Sequence, residues 1–256
     1  MDIRLTISGK GAPLVLIAGM PQPVEHLAHL YSALASTHRV VLLDLPGYGA
    51  SPAPAGAYDL DEVDRAVAAA LSAANATEAS FIAMSGGTYR VLKMTLDRLI
   101  APSALVLLAP MSSVRDEDRA GFRGLSQALR GGVDLDAIVT ATVPRMFSKA
   151  WAAAHPERAL EVVHEMVHAA SPALIAAELD AFAASPDLGP RLPEVRARVA
   201  LRVGADDVAT PLPAVRALEA ALPNATLEIA AGCGHLLQFE DPDGTLAFVR
   251  AAVGAP

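Results

Sequence analysis

Cysteine occurs once in this 256-residue chain, as Cys233, so no internal disulfide and no cysteine-rich zinc cage can form. Long apolar runs are missing as well. Although 53% of the residues are hydrophobic, no stretch reaches the roughly 18 unbroken apolar residues that a membrane helix needs. The opening Met1-Asp2-Ile3-Arg4 lacks the basic start and apolar run of a secretory signal. A soluble, cytoplasmic chain with no membrane partner is therefore expected. Positive charge is scarce too: the formal net charge is −8 and no basic cluster stands out, which argues against a nucleic-acid partner. Mild acidity serves solubility and says little about a substrate.

Short apolar runs alternate with helical patterns, which predicts α/β architecture with a parallel sheet covered by helices. Strands are expected at residues 3–7, 14–18, 40–43, 80–84 and 105–108, and again at 199–203 and 227–230. Helices are expected at 24–36, 60–74, 86–99 and about 242–253. From about Ser112 to Pro190 only helical patterns appear, divided by Gly131-Gly132, Pro144, Pro156 and Ser171-Pro172. Pro156 and Pro172 suit the first turn of a helix. The organisation that follows is a sheet domain built from residues 1–111 and 190–256, with a helical cap inserted at 112–189. No internal repeat or low-complexity linker interrupts it.

Ala83-Met84-Ser85-Gly86-Gly87 stands between an expected strand and an expected helix. A serine on such a sharp turn has its hydroxyl lifted above the sheet, and the turn needs small residues two before and two after it. Ala83 and Gly87 meet that need. An ordinary strand-to-helix turn capped by a small hydroxyl residue would look the same in isolation. Serine is a poor nucleophile at neutral pH and needs a base, commonly a histidine oriented by a carboxylate. Gly204-Ala205-Asp206-Asp207 and Gly232-Cys233-Gly234-His235 each follow a returning strand, in the order serine, acid, base. Of seven histidines, only His235 lies in a glycine-flanked loop after an expected core strand. Asp207 is preferred to Asp206 for its spacing from Gly204, with Asp206 kept as the alternative acid. An acyl-transfer site also needs backbone N–H donors for a developing oxyanion. Gly86 offers one. Met20, in Ala18-Gly19-Met20-Pro21-Gln22-Pro23, offers the other, since Pro21 and Pro23 have no N–H.

These pieces, read together, resemble the α/β-hydrolase superfamily: VLIAGMP, VVLLDLPGYGAS, FIAMSGG, VALRVGADDVATP and AAGCGHLLQFEDP occur in that order and at matching spacing. The resemblance implies an α/β-hydrolase fold with Ser85 as nucleophile, Asp207 as acid, His235 as base, and Met20 and Gly86 as the oxyanion hole. The chain departs from the pattern at Ala83, where glycine is usual, and at Ala18, where many members have histidine. Gly86 replaces a larger residue, which implies a wider pocket floor or a looser donor. One strand before residue 14 implies about seven strands rather than eight. Within the superfamily the chain is similar to small esterases and 3-oxoadipate enol-lactonases. Perhydrolases of the haloperoxidase type and C–C bond hydrolases share the sheet motifs. A haloalkane dehalogenase is disfavoured, because that chemistry needs an aspartate where Ser85 stands.

The expected activity is hydrolysis of a small carboxylic ester or lactone without a cofactor, by a monomer or homodimer. Phe122, Met146, Phe147, Trp151 and Met166 are the expected apolar lining presented by the cap. A rival motif lies in the same segment. His164-Glu165-Met166-Val167-His168 matches the H-E-x-x-H spacing that puts two imidazoles on one helix face for zinc. A catalytic zinc needs a third protein ligand, and only Glu178, beyond the Ser171-Pro172 break, offers itself. An amphipathic helix with two exposed histidines and no metal is the preferred expectation. A non-catalytic relative is the remaining alternative, and an intact serine, acid and histidine argue against it.

Overall fold

The computed structural model describes residues 1–254. Seven strands form one sheet: β1 (Leu5–Ser8), β2 (Pro13–Ile17), β3 (Arg39–Leu43), β4 (Ser80–Met84), β5 (Ala104–Leu108), β6 (Arg198–Gly204) and β7 (Ala225–Ala230). Their spatial order is β1-β3-β2-β4-β5-β6-β7. Only β1 runs antiparallel, pairing Leu5 with Leu43, and every other neighbour pair is parallel. The central strands are continuous apolar runs because a parallel sheet is covered on both faces. Side chains alternate between the two faces along each strand. Val15, Ile17, Val41, Phe81, Leu105 and Leu107 join one core, while Leu14, Leu16, Val40, Ile82, Val106 and Leu108 join the other.

Helices α2 (Leu60–Ala73) and α3 (Gly86–Leu96) pack on the first face, and α1 (Ala28–Leu34) on the second. The expected helix at 24–36 opens with a 3₁₀ turn, Val24–Leu27, before α1 begins. The helix after Ser85 stops at Leu96 rather than residue 99, because Arg98 takes a left-handed backbone (φ 58°) and Leu99 N–H turns back to Met94 O.

Between β5 and β6 the chain forms α4 (Asp116–Arg130), α5 (Leu135–Met146), α6 (Lys149–Ala154), α7 (Pro156–Val167) and α8 (Pro172–Ala184). Ser148 and Ser171 cap α6 and α8 by accepting from Trp151 and Leu174 N–H, and Pro156 and Pro172 occupy first-turn positions. Pro144 does not divide the segment as expected. It lies in the last turn of α5. Helices α9 (Leu212–Ala221) and α10 (Leu237–Glu240) follow, neither evident in the sequence pattern, and then α11 (Pro242–Val253), at its expected bounds. Among the described residues no helix is long and apolar enough to cross a membrane.

The strand order decides where chemistry can occur. The chain leaves β2 for β3 on one side and returns to β4 on the other, so a crevice opens beyond the carboxyl ends of β2 and β4. The loops after β2 and β4 become neighbours there. The same pairing of β6 with β7 brings their following loops together.

Candidate active site

Ser85 closes β4 with φ 47° and ψ −123°, a backbone conformation that costs a non-glycine residue about 1–3 kcal/mol. The surroundings enforce it. Ser85 N–H donates to Leu108 O at 3.0 Å, and Thr88 N–H and Oγ both donate to Ser85 O. The tight turn presses α3 against β2: a Cβ on Gly87 would stand 2.5 Å from Ala18 O and 2.9 Å from Ile17 O. Only glycine fits there, and Ala83, fully buried, is accommodated on the other side of the turn.

Ser85 Oγ lies 2.9 Å from His235 Nε2, and His235 Nδ1 lies 2.9 Å from Asp207 Oδ2. Asp207 is buried and receives three further bonds. Ala209 and Thr210 N–H donate to Oδ1, both at 2.8 Å, and the Thr210 hydroxyl donates to Oδ2 at 2.6 Å. Burial works to raise the Asp207 carboxyl, but the His235 charge and the bonds from His235 and Thr210 outweigh it, so its pKa falls below the usual carboxylate value. An ionised carboxylate only accepts, so His235 Nδ1 carries the proton and Nε2 offers its lone pair to the Ser85 hydroxyl. Asp206, the alternative acid, is exposed. The acid and histidine loops touch closely: a Cβ on Gly204 would fall 2.2 Å from both Cys233 O and Gly234 O.

Met20 and Gly86 are neighbours beside Ser85 in the cavity wall. The Gly86 Cβ position lies 3.5 Å from Met20 N, and among the described residues neither N–H has a hydrogen-bond acceptor. Gln22 shapes the loop, accepting from Gly19 N–H at 3.1 Å through Oε1 and donating its own N–H to Gly19 O at 3.1 Å.

A cavity of about 360 Å³ opens on Ser85, Gly86, Met20 and His235. Phe122, Met146 and Met166 line it as expected, but Phe147 and Trp151 do not. Phe147 leaves the end of α5 in an extended conformation, is buried, and stacks on Trp151 at 4.5 Å. Those two rings hold α6 to the rest of the insertion. Sequence reasoning also missed Met111, Leu179 and Phe182 in the lining, and the charged groups Arg115, Asp118 and Arg145. Arg115 and Arg145 both pair with Asp118, at 2.6 and 3.1 Å. The acidic start of α4 was a visible signal of a helix N-terminus, but not of a wall facing a cavity.

His164 and His168 are exposed and their rings stack at 3.9 Å. Glu165 is engaged elsewhere, by His26 Nε2 at 2.7 Å. Glu178 is fully buried among Tyr48, Tyr58 and Arg90. Among the described residues no group of three or more His, Cys, Asp or Glu is placed to hold a metal ion.

Residues 14–248 match the family model described as "Alpha/beta hydrolase family". RutD, a protein of Klebsiella pneumoniae subsp. pneumoniae named for carbamate hydrolysis, is 26% identical over 96% of this chain and 92% of its own. A fluoroacetate dehalogenase from a Burkholderia species is 40% identical over 59 residues, only 23% of this chain and 19% of that protein. Among solved structures, a thermophilic esterase from Thermogutta terrifontis superposes with a TM-score of 0.87 at 21% identity, covering 97% of this chain and 92% of that one. The enol-lactonase from Burkholderia xenovorans LB400 superposes with a TM-score of 0.85 at 20% identity, covering 96% and 94%. At such identity the likeness is one of fold.

Proposed function

The chain belongs to the alpha/beta hydrolase family and is a hydrolase, and from that premise we propose that it cleaves a small carboxylic ester or lactone through an acyl-enzyme on Ser85. The observation that carries this reading is the continuous chain Ser85–His235–Asp207, with both links at 2.9 Å, beside two unengaged backbone donors.

Ser85 Oγ attacks the carbonyl carbon while His235 Nε2 takes its proton. Met20 and Gly86 N–H hold the oxyanion as it forms. Asp207 keeps His235 in the required tautomer and stabilises the imidazolium. His235 then protonates the leaving alkoxide, and in the second half-reaction it activates water to release the acid. The cavity volume is near the lower end of the 300–1,000 Å³ usual for small-molecule sites. Met20, Met111, Met146 and Met166 give it a compliant, mostly apolar wall. Esters and lactones are favoured over peptides because the charged groups of the lining are paired with one another, Arg115 with Glu117 and Asp118, and Arg145 with Asp118.

A panel of aryl esters, short alkyl esters and lactones, run against Ser85→Ala, tests the reading. Ser85→Ala should lower kcat by roughly 10⁴-fold or more without loss of fold. Peracid formation from acetate and peroxide and cleavage of a C–C diketone belong in the same panel, as the rival activities on one triad. Failure of Ser85 to react with a fluorophosphonate would make the chain a non-catalytic relative. Activity lost to EDTA and restored by zinc would overturn the serine mechanism.

A further inference from the structure

Residue 86 has no side chain, and the insertion fills the space beside it. A Cβ on Gly86 would lie 3.2 Å from Phe182 Cζ and 3.3 Å from Met20 Cβ, tighter than ordinary carbon contact. A glycine after the nucleophile implied a wider pocket floor or a looser donor; a ring from α8 stands over that floor. Phe182 lines the cavity and is fully buried.

The ring is also fixed. Tyr89 meets it edge-on at 5.8 Å, and the Arg90 guanidinium carbon lies 5.4 Å from its centre. Arg90 donates to Asp64 at 2.8 Å, to Tyr58 at 2.8 Å and to Glu178 at 3.3 Å. Glu178 lies one turn before Phe182 on α8 and accepts from Tyr48 at 2.6 Å and Tyr58 at 3.0 Å. Glu178 thus anchors α8, and with it the backbone of Phe182, in a buried network of five polar side chains.

Resting on the acyl-enzyme reading above, we propose that Phe182 is the specificity-determining residue for the acyl group, restricting the cavity to acyl chains unbranched next to the carbonyl. The tetrahedral carbon on Ser85 Oγ has three other substituents. The oxyanion lies between Met20 and Gly86 N–H, and the leaving oxygen faces His235. The acyl chain takes the remaining direction, away from His235 and along the wall that Phe182 shares with Gly86 and Met20. A second carbon on the position next to the carbonyl is then directed toward the Phe182 ring, which lines the same cavity as Ser85.

The test is kcat/KM for p-nitrophenyl butanoate against p-nitrophenyl 2-methylpropanoate, in wild type, Phe182→Ala, Phe182→Leu, Gly86→Ala and the Gly86→Ala/Phe182→Ala pair. Wild type should prefer the linear ester at least tenfold. Phe182→Ala should shift that ratio at least tenfold toward the branched ester, and Phe182→Leu part of the way. Should the alanine variant not fold, Phe182→Leu reads the same ratio with most of the volume retained. Gly86→Ala should depress both esters, and removing the ring should relieve at least tenfold of that loss. Ratios within twofold of wild type in both Phe182 variants, or no wild-type preference, would overturn the proposal. Strictly additive losses in the pair would do the same. Ester hydrolysis that persists in Ser85→Ala removes the acyl-enzyme reading itself. Hydrolysis that depends on Ser85 with unmoved ratios sinks the Phe182 proposal alone.

Discussion

Asp207 accepts four hydrogen bonds through two oxygens, and this shows how single residues set the site. Its pKa is held below the ordinary value, so it stays ionised throughout the neutral range and well into acid. Asp207→Asn keeps the shape but offers an amide that can also donate, so His235 is free to present its proton to Ser85 in the unreactive tautomer. We expect kcat to fall by about 10⁴-fold, with KM little changed. A fall of less than tenfold in steady-state ester kinetics would remove Asp207 from the mechanism. The placing of these residues was legible because Ser85 follows β4 directly and Asp207 and His235 lie in the short loops after β6 and β7, beside glycines that let the chain turn. The choice between Asp206 and Asp207 was a matter of one residue of turn geometry. Phe147 and Trp151 were not legible as packing residues, because which face of a short helix looks inward depends on how that helix docks.

At the scale of elements, the helices between β5 and β6 are fastened beside the loop of His235, the helix that begins at Ser85 and the loop of Met20. Met146 O, at the end of α5, accepts from both His235 and Leu236 N–H, at 3.1 and 3.0 Å. Glu240 bridges Gly234 and Ser148 N–H, at 2.9 and 3.1 Å. Glu178 ties α8 to α3, which begins at the nucleophile. A fourth fastening joins His26, just past the Met20 loop, to Glu165 of α7. Strand positions were readable from apolar runs, but these fastenings join residues more than 80 apart and leave no local pattern. The His26 link also titrates. His26 is buried against the edge of Phe239, and its Nδ1 has no partner among the described residues. Burial lowers its pKa below the ordinary 6.5, outweighing the bond and charge of Glu165 that act to raise it. With the folded-state value depressed, the unfolded chain binds the proton first as pH falls through 6.5, so stability is lost on the acid side. His26→Phe fills the same apolar site without a titrating group. Its unfolding free energy in urea should fall less between pH 7.5 and pH 5.5 than that of wild type, and equal losses would absolve His26.

Over the whole molecule, the residues that meet around Arg90 come from separate stretches of chain: Tyr48 and Tyr58 from the segment after β3, Asp64 from α2, and Glu178 from α8. The sequence suggested Glu178 only as a distant zinc ligand. Of the two carboxylates in the alanine- and leucine-rich α8, Glu178 and Asp180, it is Glu178 that shares the buried face with Leu174, Ile175 and Phe182. A group so buried is stable only when matched, since desolvation of each ion is offset by its neighbours and not by water. Arg90 is fully buried, and Asp64 and Glu178 are the acids that balance it. Burial already pushes the Asp64 carboxyl above its ordinary value, against the pull of Arg90. Arg90→Met should therefore destabilise the fold by about 3–5 kcal/mol in urea unfolding, because two carboxylates lose their counter-charge together. Adding Glu178→Gln, whose carbonyl still accepts from one of the two tyrosines, should recover part of that loss. If the double variant is as unstable as the sum of its parts, charge balance is not what binds α8 to the sheet, and packing around Phe182 must hold it instead.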